Sequence, residues 1–279
     1  MTDFAHISPT PYLDIFAASR PFHLVLAHLV EDDATYAKWY NEIANTTTST
    51  TILDNSAFEM YKRRQPMYLS DKLIDMAYRV CADYIVMTDY PDAPARDTIE
   101  TAIALAPKFR AAGFGTFFVP QAEIGNVKGL VESFRWAAQA DEVDYIGVSI
   151  LAVPNAFGVE TGNNLQRFLS RWKLMRMLED EGILDLITCN DKKIHFLGMV
   201  DGPNEISLVS KYLPIINTWD SSAAVWAGLN GISFDDSPTG LMNGKLESEV
   251  DFDHNNADVV GVIRAMKNIK YIDNLLKGI

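Results

Sequence analysis

Cysteine is nearly absent from this 279-residue chain: only Cys81 and Cys189 occur. They form no CxxC pair, and no Cys/His run has zinc-ligand spacing, so a structural zinc site is excluded. Two reduced, mostly buried thiols are expected. Basic charge is also scarce. Lys and Arg number 24 against 37 Asp and Glu, for a net charge of -13. That balance argues against broad non-specific nucleic-acid binding, which uses a basic face. It leaves room for a local basic groove built from Lys62, Arg63 and Arg64 together with Arg167 and Arg171. Each cluster also suits a solvated face.

No apolar run reaches the ~18 residues of a membrane span. The first residues, Met1 to His6, lack the basic start and apolar core of a secretory signal. A soluble, cytoplasmic protein without membrane contact is expected. No GxGxxG follows the first apolar run, which removes the main signature of a dinucleotide fold. No cofactor is indicated.

What is present is an alternation of short apolar runs with amphipathic stretches. Strands are expected at Phe22 to Ala27, Thr50 to Leu53, Tyr84 to Met87, Thr116 to Val119, Tyr145 to Ile150, Lys193 to Leu197 and Ile215 to Trp219. Helices are expected at Thr35 to Ala44, Leu69 to Val80, Arg96 to Ala112, Val127 to Ala140, Asn164 to Glu181, Asn204 to Tyr212 and onward from Asp220 to Gly228. Apolar runs of this kind suit parallel strands buried on both faces. With a strand count near eight and no linker, the pattern predicts one α/β domain over residues 1–279, a (β/α)₈ barrel. The polar stretch from Gly231 to Asp258 reads as a loop excursion, and Ala257 to Leu276 as a closing helix.

Three strand tips end in carboxylates: Asp54, Asp89 and Asp220. In parallel α/β folds that rim is where chemistry is placed. Each aspartate alone also suits a helix cap or Asx-turn. Taken together, Asp220 and Asp54 can divide one displacement into two, one attacking carbon and the other moving protons. Glycosyl transfer uses such a pair because its transition state is oxocarbenium-like. Asp89 can accept from the N1 and amine of a guanine-like base, and Gln121 can donate to its carbonyl. Gly147 and Val148 offer backbone N–H groups at close approach, and Phe58 offers a ring for stacking. His195, flanked by apolar residues, reads as a core histidine.

These motifs resemble a family. Leu53-Asp54-Asn55-Ser56-Ala57-Phe58-Glu59 resembles the DSGGFQ segment of tRNA-guanine transglycosylases. Val86 to Asp89 is similar to their base-reading aspartate segment, and Val119-Pro120-Gln121 to their VQG strand end. Ile146 to Ser149 resembles their glycine-rich base-contact strand. His195 to Val200, then Asn217 to Ser221, resemble their LMGVG and FDC segments. The order matches from about Leu53 to Gly228. The resemblance implies a barrel pentosyltransferase that exchanges guanine for a 7-deazaguanine base such as preQ0 or preQ1. It implies Asp220 as nucleophile, Asp54 as general acid/base, Asp89, Gln121, Gly147 and Val148 as base readers, and Phe58, Leu197 and Gly198 around the base.

The chain departs from that family in three places. Ser56 and Ala57 replace paired glycines. The CxCxxC zinc motif has no counterpart, and the PTRxxR-type arginines after the nucleophile are missing. A short, zinc-free version is most similar to the DNA-guanine transglycosylase (DpdA) branch of phages and bacteria, which implies DNA as partner ahead of tRNA. Three other readings stay open: the same exchange on tRNA, a barrel glycoside or nucleoside hydrolase, and a non-catalytic base-binding barrel. Oligomeric state is not legible.

Overall fold

In the computed structural model, which describes residues 2–200, 202–236 and 257–278, strands and helices alternate along the described residues. β1 (Asp3–His6) precedes α1 (Leu13–Phe16), and β2 (Phe22–Leu26) leads to α2 (Ala27–Asp32) and α3 (Ala34–Thr46). β3 (Thr50–Asp54) is followed by α4 (Ala57–Arg63) and α5 (Ser70–Arg79), β4 (Tyr84–Val86) by α6 (Ala95–Ala111), and β5 (Gly115–Phe118) by α7 (Val127–Gln139). β6 (Tyr145–Ser149) feeds α8 (Ala152–Ala156), α9 (Asn164–Asp180) and α10 (Ile183–Cys189). β7 (Lys193–Leu197) precedes α11 (Asn204–Leu208), and β8 (Ile216–Ser221) precedes α12 (Ala223–Leu229) and α13 (Val259–Lys277).

The eight strands form one parallel sheet in the order β1-β8-β7-β6-β5-β4-β3-β2. β1 pairs with β8, which brings the two ends of the strand series together, and β1 also lies against β2. This is the α/β barrel that the alternation predicts. Alternating side chains divide into two cores. Ala5, Phe22, Leu24, Ile52, Val86, Phe117, Val119 and Tyr145 fill the barrel interior. A larger apolar layer lies between strands and helices, including Val25, Leu53, Ile85, Phe118, Ile146, Val148 and Phe196. Period-two alternation sends neighbours on one strand to opposite layers.

Three expectations need correction. The first strand of the barrel is β1, not Phe22 to Ala27; the run Asp-Phe-Ala-His is short and polar at both ends, and it is a strand because β8 pairs with it. The helix expected from Asn204 to Tyr212 is broken into α11 and a 3₁₀ turn over Ser210–Ile215, where Pro214 lacks the N–H a helix needs. Cys81 and Cys189 are free but exposed rather than buried. Cys81 sits at φ 50° just after α5, a turn position that faces outward. Much of the Gly231 to Asp258 loop excursion lies outside the described residues.

Candidate active site

Asp54 is the last residue of β3, and Asp220 is the fifth of the six residues of β8. Asp89 and Gln121 each lie three residues beyond their strands, β4 and β5. All four therefore stand at the C-terminal rim, the end of the barrel where βα loops gather. Their fields overlap. Burial, the Glu59 carboxylate, then Asp89 and Asp220, all push the Asp54 carboxyl well above the usual carboxylate range, while the Ser56 N–H pulls the other way. Ser56 N donates to Asp54 Oδ2 at 2.9 Å.

That turn has an unusual backbone. Ser56, standing where the resembled motif has a glycine, adopts φ 55° and ψ 32°. A β-carbon in this left-handed region costs energy that glycine avoids. Ser56 offsets the cost with its hydroxyl, which accepts the His28 backbone N–H at 3.2 Å and lies 2.9 Å from His28 Nδ1. His28 follows β2, so the contact ties two neighbouring rim loops together.

Asp89 is the hub of a buried polar network. Asn55 Nδ2 donates to Asp89 Oδ1 at 2.8 Å and to the Met87 carbonyl at 2.8 Å. Gln121 Nε2 donates to Asp89 Oδ2 at 2.5 Å. Burial raises the Asp89 carboxyl to about 6, the two amide donors pulling it down against that. Each carboxylate oxygen keeps a second lone pair. Gln121 Oε1 is buried and has no hydrogen-bond partner. Buried acceptors are rarely left so, and those that are point to a ligand or ordered water. Asn55 was not singled out in the sequence; its position one residue past a strand-end aspartate was the available signal.

Asp220 is held differently. His195 Nε2 lies 3.0 Å and the Gly198 backbone nitrogen 3.1 Å from one oxygen, Oδ1. No donor among the described residues reaches Oδ2. His195 is thus buried, as its apolar neighbours suggest, yet it faces the barrel interior and the rim acid. The signal was period two along β7: His195 shares a face with Leu197.

Other predicted residues fall unevenly. Leu197 lines the interior, where a β-carbon on Gly147 would lie 3.0 Å from Leu197 Cδ1 and 2.7 Å from Phe117 Cε2. The close approach that glycine permits at 147 is therefore made by protein side chains. Val148, expected as a base reader, turns its side chain away from the interior. It packs in the outer layer, its backbone belongs to the β6–β7 ladder, and Arg171 Nη1 takes its carbonyl at 3.1 Å. Phe58 lies partly exposed on α4 with the Lys62 ammonium 5.6 Å from its ring centre. Lys62 and Arg63 lie in the last turn of that helix, Arg64 caps it, and Arg167 lies in the first turn of α9.

Arg171 is not the surface charge expected: it is wholly buried and cannot meet a polynucleotide. Its Nε and Nη2 each lie 2.6 Å from the Glu205 carboxylate, Nη1 donates to Leu197 O at 2.8 Å, and Nη2 to Gly198 O at 2.8 Å. Its guanidinium lies 4.8 Å from the Phe196 ring centre and 5.5 Å from that of Trp219. The planar fork fits this role because it satisfies five acceptors at fixed angles. Arg171 thereby pins the end of β7, including Gly198, whose N–H holds Asp220.

Among the described residues, no group of three or more His, Cys, Asp or Glu side chains is placed to hold a metal ion. No helix among them is long and apolar enough to cross a membrane. No family model and no curated protein matches the chain. Among solved structures, it is similar to citrate synthase SbnG, at 15% identity and TM-score 0.49, covering 78% of this chain and 84% of that one. A point variant of the same enzyme has identical coverage and a TM-score of 0.46.

Proposed function

We propose that this chain is a base-exchange glycosyltransferase, replacing guanine in DNA with a 7-deazaguanine base through a covalent aspartyl intermediate. One observation carries the reading: two rim carboxyls, Asp54 and Asp220, sit in environments that push them toward opposite roles. Asp54, whose carboxyl is raised by burial and by neighbouring carboxylates, suits a general acid. Asp220, held on one oxygen by two donors, presents the other oxygen as a nucleophile.

Asp220 Oδ2 attacks C1′, and the bond from C1′ to guanine N9 breaks. The electron pair leaves with the base, which takes a proton from Asp54. The incoming base loses its N9 proton to the Asp54 carboxylate and attacks C1′. The ester bond breaks and Asp220 is restored. Two inversions retain configuration. Asp89 suits the base edge, since each oxygen has a lone pair free for N1–H or the 2-amine. The remaining amide hydrogen of Gln121 suits the 6-carbonyl. DNA is favoured over tRNA on the missing zinc motif and missing arginines.

The test is exchange of labelled guanine on duplex DNA, single-stranded DNA and tRNA in parallel, with denaturant-stable adducts trapped alongside. Exchange with DNA and loss of both exchange and adduct in Asp220→Ala are expected. An Asp220→Ala enzyme that exchanges base at the wild-type rate overturns the reading. Release of free base without exchange assigns the chain to the hydrolases instead.

A further inference from the structure

His195 has no place in the chemistry above, yet both its ring nitrogens and its aromatic ring have defined neighbours. The ring is completely buried. It lies edge-on to Phe22 and Phe117, with ring centres 5.5 and 5.4 Å away. Nδ1 is 2.8 Å from Thr218 Oγ1, and Nε2 is 3.0 Å from Asp220 Oδ1. Thr218 and Asp220 are alternate residues of β8, so one face of one strand grips both nitrogens of a histidine on its neighbour, β7.

An ionised carboxylate only accepts, so Nε2 must carry hydrogen. A neutral imidazole then has Nδ1 as acceptor, and the Thr218 hydroxyl donates to it. The aromatic edges fix the plane of the ring, so the Nε2–H points along one line. The Gly198 N–H meets the same oxygen at 3.1 Å from the end of β7.

We infer that His195 is a positioning residue for Asp220: as the Nε2–H tautomer it occupies Oδ1 jointly with the Gly198 N–H, fixing the carboxylate rotamer with Oδ2 as the attacking atom. This rests on the nucleophile assignment above. His195 touches neither base nor sugar in this role. A misplacement of roughly 1 Å can cost about a hundredfold in rate, which is the scale at stake.

Two measurements test it. Long-range proton–nitrogen NMR of the wild-type protein reads the tautomer without any substitution. Protonation at Nε2 is expected, with the ring resonances displaced in Asp220→Ala. Protonation at Nδ1 alone overturns the inference, because Nε2 would then have nothing to donate. Single-turnover adduct formation on a guanine-containing DNA supplies the second readout. His195→Phe keeps the ring shape without the donor and should slow adduct formation about a hundredfold, with base KM changed less than about twofold. His195→Gln, whose amide reaches toward the same oxygen, should recover much of the loss. Equal slowing in both variants, or none in either, overturns the inference while the exchange reading stands. A wild-type enzyme that forms no adduct on any polynucleotide removes the nucleophile itself, and this role with it. Circular dichroism of both variants establishes that they fold.

Discussion

At the residue scale, the rim carboxyls set a conflict between stability and chemistry. Asp54 is raised well above the ordinary carboxylate range by burial and by neighbouring acids. A carboxyl raised by folding contributes stability that is complete at acid pH and is lost as pH climbs through its folded value. Asp54→Asn keeps an acceptor for the Ser56 N–H but removes the ionisable proton. It should raise Tm at pH 8 by a few degrees, the usual scale for relieving a functional site, and by less at pH 5. It should also slow both adduct formation and resolution. Thermal scans at the two pH values check the first claim; an Asp54→Asn protein less stable at pH 8 than wild type contradicts it. Asp89 titrates near 6. Base binding that needs the carboxylate should therefore weaken as pH falls through that value, measurable as guanine affinity from pH 8 to 5. His6 and His23 act with the opposite sign. Burial lowers each to about 4. Their stabilisation is present above the unfolded histidine value and is lost as pH falls toward 4, so they set part of the acid limb of unfolding.

At the element scale, helix faces and strand ends explain what the sequence revealed and what it concealed. Seven strands were legible because their apolar runs are buried on both sides. β1 was not, because four residues with polar ends become a strand only through the β8 ladder. Asp220 was placed just past its strand, whereas β8 continues to Ser221 because β1 pairs with it to that point. The acids at the rim were legible from strand-then-carboxylate order. The grip of His195 was not, since a histidine among apolar residues gives no hint of which neighbour it faces. Arg171 was misread as a surface charge, although it shares the i, i+3, i+4, i+7 face of α9 with buried Leu174, Met175 and Leu178. Removing one member of its buried pair leaves an uncompensated charge, which costs about 3–5 kcal/mol. Arg171→Met should show that loss by denaturant unfolding, and the Arg171→Met, Glu205→Leu double variant should regain part of it. A further element-level constraint is the crossing of α12 and α13. A β-carbon on Gly228 would lie 2.3 Å from the Ala265 backbone. Gly228→Ala should destabilise by about 1–3 kcal/mol or more through overpacking; a neutral result would mean that the two helices separate freely.

At the scale of the whole molecule, the proposed function asks a chain of net charge -13 to bind a polyanion against its own field. The burden falls on Lys62, Arg63 and Arg64, which stand at the C-terminal end of α4. Replacing all three by alanine should weaken DNA binding and reduce the slope of log affinity against log salt by about 2–3, since each phosphate contact contributes roughly 0.7–0.9. Titrations at several salt concentrations read both, and an unchanged slope would place the polynucleotide elsewhere. The barrel also imposes an order in time. Thr2 Oγ1 donates to the Ile216 carbonyl, 214 residues away along the chain, and Ala5 lies opposite Asp220. At ribosomal speeds of about 5–20 residues per second, β1 waits roughly 10–40 s for β8 to emerge. During that interval the β1 edge that β8 will cover stays unpaired, a template for strands of other nascent chains. The strand that covers that edge also brings Asp220, the nucleophile of the proposed reaction. A prematurely terminated copy therefore has no partial activity to offer the cell; it is a client for chaperones or proteases until the reading frame has passed Asp220.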